Sequence, residues 1–122
     1  MKKLKHKAIW HDEPEEHNFP AAVDYLELIF PPAKVKELVI ELKDVETIHK
    51  KAKDILRASQ LPLLDKKNIH VKSNIKKVKN GEHLSPVLLV RGSEKLHIAD
   101  GYHRVCSIYY LSEDLEIPCR LV

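Results

Sequence analysis

Hydrophobic positions change period several times along the 122-residue chain, and each change predicts an element. "NFPAAVDYLELIF" sets Ala22, Leu26, Ile29 and Phe30 on one helical face, with Pro20 tolerated in the first turn. Pro31 and Pro32 end that helix and open a second, where Val35, Leu38, Val39 and Leu42 recur at i, i+3, i+4 and i+7. "VETIHKKAKDIL" is ambiguous: its β-branched residues favour a strand, and "DILRASQL" reads as a helical turn after it. "DKKNIHVKSNIKKVKNG" predicts a helix with Val71, Ile75 and Val78 inward, Asp65 or Asn68 capping its start and Gly81 just past its end.

The C-terminal part alternates faster. "PVLLVR" is a short unbroken apolar run, expected for a strand buried on both faces. Gly92 and Ser93 predict a hairpin into "KLHIAD", with Leu96 and Ile98 on one face. "RVCSIYYL" places Val105, Ile108, Tyr109 and Leu111 at helical spacing, and "EIPCRLV" alternates as a closing strand that Pro118 assigns to a sheet edge. Trp10, Phe19 and Tyr25 are read as anchors fixing the N-terminal segment to the core. The expectation is one α/β (α+β) domain with a small mixed sheet, in which residues 1–44 form an N-terminal helical addition to a core of 45–122.

Composition narrows the function classes only a little. With 43% hydrophobic and 32% charged residues the chain reads as globular, and no run approaches the ~20 apolar residues of a membrane span or resembles a signal peptide. A cytoplasmic protein is expected, with Cys106 and Cys119 reduced and buried. A net charge of +3 does not argue for nucleic acid, but its distribution matters. Lys2, Lys3, Lys5 and Lys7 precede the acidic Asp12, Glu13, Glu15 and Glu16, and Lys66, Lys67, Lys72, Lys76, Lys77 and Lys79 follow with no acid between them. That second run is either a solvated helix face or a surface for an anionic partner. His11, Asp12, Glu13, Glu15, Glu16 and His17 carry metal-capable groups without a recognised ligand spacing, so no metal is assigned there.

The chemistry concentrates in "HIADGYHRVC", where a strand passes through Gly101 into a helix that opens on His103 and Arg104. The first turn of a helix leaves backbone amides without intrahelical partners, and the peptide dipoles make that end positive. Gly101 would let an anion approach the backbone closely, and Arg104 can grip a phosphate with two N–H groups. Gly101, Tyr102, His103 and Arg104 are therefore the candidate anion cradle. Asp100 reads either as the helix N-cap or as a general base or metal ligand, and Arg104 has an alternative in an ion pair with Glu113, Asp114 or Glu116.

These residues carry a family resemblance. "PVLLVRG", a hairpin and then "HIADGYHR" running into a helix resembles the ParB/sulfiredoxin-like superfamily over roughly Ala52 to Val122. Gly101-Tyr102-His103-Arg104 is similar to the Gly-Cys-His-Arg turn of sulfiredoxins and the Gly-Glu-Arg-Arg turn of partition proteins, which bind nucleotide phosphates. Tyr102 stands where sulfiredoxin chemistry needs a cysteine, and the DNA-binding and dimerisation modules of partition proteins do not follow, so neither activity is expected. The resemblance further implies that "KKAKDILRA" faces the same pocket, making Lys53, Asp54 and Arg57 candidates with Lys51 behind them. Against this, Asp54 can simply cap the short helix that follows. Catalysis would fall to Asp100 and Asp54, with Mg²⁺ arriving on a nucleotide.

The leading expectation is a protein that binds a phosphate-containing small molecule or nucleotide at the DGYHR turn, with phosphoryl transfer or hydrolysis left open. The alternatives are a nucleic-acid-associated accessory protein using Lys66–Lys79, and a partner-binding module whose basic turn is structural.

Overall fold

A computed structural model describes residues 10–122; the lysines at 2, 3, 5 and 7 lie outside the described residues. Helices α1 (Asn18–Leu26) and α2 (Pro32–Asp44) are followed by strand β1 (Ile48–Lys51), helix α3 (Ala52–Ser59) and helix α4 (Ile69–Lys79). Strands β2 (Val87–Arg91) and β3 (Leu96–Asp100), helix α5 (Tyr102–Leu111) and strand β4 (Glu116–Leu121) complete the chain. The strands form one mixed sheet in the order β1-β4-β2-β3, with β4 antiparallel to β1 and parallel to β2, and β3 antiparallel to β2. The α/β class expected from the periodicities is the class observed.

Alternation along β2 explains the layering. Val87 and Leu89 face a core formed with α3, α4 and α5, whereas Leu88 and Val90 face Ala22, Leu26, Val35, Leu38 and Leu42 of α1 and α2. A strand buried on both faces needs a cover on each, as "PVLLVR" predicted. The two N-terminal helices are thus one outer layer of the domain and supply the second half of its core, more than an addition to it. Trp10 packs in the first core, beside its bridge to Leu84; Phe19 is in the second, and Tyr25 lies against it.

The edge position expected for β4 is corrected: β4 lies between β1 and β2. Pro118 is tolerated because alternation from Val122, whose N and O both bond to β2, turns its nitrogen to the β2 side, and the β2 ladder starts only at Cys119. Arg120 leaves the same strand on the α1/α2 side, only 7% exposed. It donates to Leu42 O at 3.1 Å and Lys43 O at 2.9 Å, which otherwise end α2 unpaired, and to Thr47 Oγ1 at 2.9 Å. Of the two candidate caps of α4, Asn68 does the work, its Oδ1 accepting from His70 N and Val71 N. Cys106 and Cys119 are free and buried, and burial pushes the Cys119 thiol up to about 11.

Candidate functional site

β3 delivers the chain to Asp100, Gly101 turns it at φ +112°, and α5 starts at Tyr102. The first helical bond runs from Val105 N to Gly101 O (3.0 Å), and no side chain caps this end. The amides of Tyr102, His103 and Arg104 therefore have no carbonyl of their own helix to pair with. Asp100 is not the cap. Its Oδ2 accepts from Arg104 Nη2 at 2.9 Å, and each side chain is 16% exposed. Arg104 also reaches Pro86 O at 3.3 Å, while its Nε is buried without a partner among the described residues. The ion pair with Glu113, Asp114 or Glu116 does not form; the geometry pairs Arg104 across its own turn.

Gly101 is required for a different reason from close ligand approach. A Cβ there would lie 2.8 Å from Val87 Cβ and 2.9 Å from Arg104 Nη2, so the missing side chain makes room for β2 and for the guanidinium. Tyr102 also departs from expectation: its hydroxyl donates to Pro62 O, pinning α5 to the loop before α4, and only its backbone belongs to the turn.

The turn opens on a cavity of about 260 Å³ lined by Asp100, Gly101, His103 and Arg104 on one side. The other side is α4, which contributes His70, Ser73, Asn74 and Lys77 at i, i+3, i+4 and i+7. None of the four was assigned to the turn from the sequence, and Lys77 entered only as part of the basic run. Their signal was a polar stripe beside the buried Val71, Ile75 and Val78, masked by the uniform basic run around Lys77. The two helices are locked together at Ser107, whose buried Oγ lies 3.0 Å from Val71 O and 2.7 Å from His103 O, with Tyr110 donating to Leu64 O at 2.6 Å. His70 and His103 meet edge to face at 4.9 Å. Burial, and then the charges of His70 and Arg104, hold His103 below the usual histidine range, so it is neutral at pH 7.

Asp100 and Arg104 cancel each other's charge. The cavity's uncompensated charge comes from Lys77 and the exposed amide end of α5. Arg104 is thus no free two-pronged clamp; its position is set by Asp100 and Pro86. One oxygen of the Asp100 carboxylate is taken by the same contact. Asp100 is the one carboxylate lining this cavity, and no group of three metal-capable side chains occurs among the described residues. The donor set does not fit a protein-held Mg²⁺.

Lys53, Asp54 and Arg57 are not brought to the turn. Lys53 Nζ lies 2.8 Å from Asp114 Oδ1, with Lys51 at 4.0 Å from the same oxygen, and Arg57 Nη2 is 3.1 Å from Asp54 Oδ1. Asp54 falls in the first turn of α3 but gives no capping bond. Lys53 and Arg57 border a separate hollow with Leu56, Leu61 and Tyr109. α3 starts immediately after β1, and its amphipathic face, with Ala52, Ile55 and Leu56 inward, turns these polar residues to solvent.

Comparison with family models, with curated proteins and with solved structures finds no match to this chain.

Proposed function

We propose that the protein binds a phosphate-containing small molecule or nucleotide in the cavity between the α5 N-terminus and α4. What carries this is the convergence, on one cavity, of the amide end of α5 and of Lys77, which has no ion pair among the described residues. Ser73, Asn74 and the two imidazoles add hydrogen-bonding groups around them. The turn's resemblance to the nucleotide-binding turn of the ParB/sulfiredoxin-like superfamily supports the same reading.

Hydrolysis or transfer of the bound phosphoryl group is a second reading, favoured by one observation: the His103 imidazole lines the cavity beside the α5 N-terminus, where a ring nitrogen can accept a proton. On that reading His103→Asn abolishes turnover and leaves binding in place.

The test is thermal unfolding of wild type and Lys77→Ala in inorganic phosphate, ADP and ATP. Lys77 is exposed and outside the core, so its variant folds. A ligand at ~100 times its Kd stabilises the folded state by about 2.7 kcal/mol. A rise in Tm for wild type that shrinks in Lys77→Ala is expected. No shift with any of the three, or equal shifts in both proteins, sinks the proposal.

A further inference from the structure

α4 carries cations on two sides. Lys77 looks toward the turn cavity, but Lys66, Lys67, Lys72, Lys76 and Lys79 line a second hollow of about 430 Å³ with Ile75 at its floor. All five lysines are exposed, and none is in an ion pair among the described residues. Elsewhere the surface lysines 34, 51 and 53 do have carboxylate partners. The nearest acid before the run, Asp65, spends Oδ1 on the amide of Lys67.

From this we infer that the lysine hollow is a docking surface for the phosphodiester backbone of a nucleic acid. Charge complementarity carries the assignment: clustered ammonium groups without counter-charges release bound counterions when they meet a dense row of phosphates. Spacing agrees with it. Lys72, Lys76 and Lys79 stand on one helix face, and a rise of ~1.5 Å per residue sets the outer two ~10 Å apart along the axis. One nucleic-acid strand presents a phosphate every ~3.4 Å of axis, so three fall within that span. Shape separates this occupant from an anionic lipid surface. A phosphate ridge enters a hollow, whereas a flat bilayer touches only its rim; Val71, Ile75 and Val78 of α4 are committed to the core, and the exposed Ile69 alone is not an inserting apolar face. No aromatic side chain lines the hollow, so bases are not stacked and binding is independent of sequence.

The test is fluorescence anisotropy of a labelled short single-stranded DNA titrated with the full chain over a range of salt. Wild type is compared with Lys72→Gln/Lys76→Gln/Lys79→Gln and with the charge-matched Lys34→Gln/Lys36→Gln/Lys95→Gln. Circular dichroism confirms that each variant folds. Loss of three phosphate contacts lowers the log–log salt slope by about 2 and the low-salt affinity at least about tenfold. The control triple keeps the wild-type slope. Absence of binding at low salt, or an equal loss in both triples, overturns the inference. So does capture by phosphatidylserine vesicles, if the α4 triple weakens it as much as it weakens DNA binding. Lys77→Ala leaves the slope within one contact of wild type, so failure here is separable from failure of the turn cavity.

Discussion

Arg104 Nη2 and Asp100 Oδ2 stand 2.9 Å apart across the glycine turn, spaced i, i+4 and each only 16% exposed. The same guanidinium nitrogen reaches Pro86 O, so one side chain ties the start of α5 to the end of β3 and to the residue before β2. The turn is thus tied on both sides through one guanidinium. Asp100→Asn removes one charge and leaves the other buried. A loss of about 2 kcal/mol is expected, less than the ~3–5 of a fully enclosed pair. Urea unfolding of both single variants and the double Asp100→Asn/Arg104→Met measures the coupling, and additivity of the singles would refute the pair.

Gly101→Ala is expected to destabilise by at least ~2 kcal/mol. The left-handed φ of +112° disfavours any side chain, and the new Cβ runs into Val87. Val87→Ala added to Gly101→Ala relieves the collision and leaves the backbone strain. Partial rescue is therefore predicted, and complete rescue or none would each contradict the geometry.

Arg120→Met strands two carbonyls at the end of α2 and Thr47 Oγ1 without their donor. Each lost buried partner costs ~1–3 kcal/mol, so denaturant titration should show a loss of roughly 3 kcal/mol. Glu13, 81% exposed and 3.5 Å from the same guanidinium, contributes little. Glu13→Gln should shift stability by no more than ~0.5 kcal/mol.

His97 reports pH. Its Nδ1 lies 3.1 Å from Tyr25 Oη and its ring meets Phe30 edge-on, so it holds α1 and the turn after it against β3. Burial, then Lys95, lowers its pKa below the ordinary ~6.5. The unfolded chain therefore binds a proton at His97 more readily than the folded one. Stability is full above ~6.5 and falls as pH drops through that value toward the folded pKa. His103 adds to the fall in the same direction. A chemical-denaturation series across this window should show the decline, and His97→Gln should flatten it.

Removal of residues 1–44 bares Leu88, Val90 and Ala99, which α1 and α2 cover. The fragment 45–122 is predicted to bind hydrophobic dye and to lose its cooperative unfolding transition. A sharp transition at wild-type Tm would show that the second core is dispensable.

Much of the fold was legible along the chain. Pro31 and Pro32 marked the join of α1 and α2, Asn68 lay where α4 needed a cap, and Gly101 marked the strand-to-helix junction. Each of these depends on residues within about a turn of one another, where period, caps and backbone restriction act. Half of the cavity wall was legible for the same reason, because Asp100 to Arg104 are contiguous. The rest was decided by which elements became neighbours. β4 is interior because β1 and β2 both pair with it, although its proline reads locally as an edge. His70, Ser73, Asn74 and Lys77 reach the turn because α4 packs on α5 at Ser107, and Lys53, Asp54 and Arg57 miss it because the apolar face of α3 directs them to water. Thus the sequence by itself determined the order of elements and the turn that bears the amides. Only the tertiary structure, by burying apolar faces from distant parts of the chain against a shared sheet, decided which side chains the turn would face and that Arg104 would be held by Asp100.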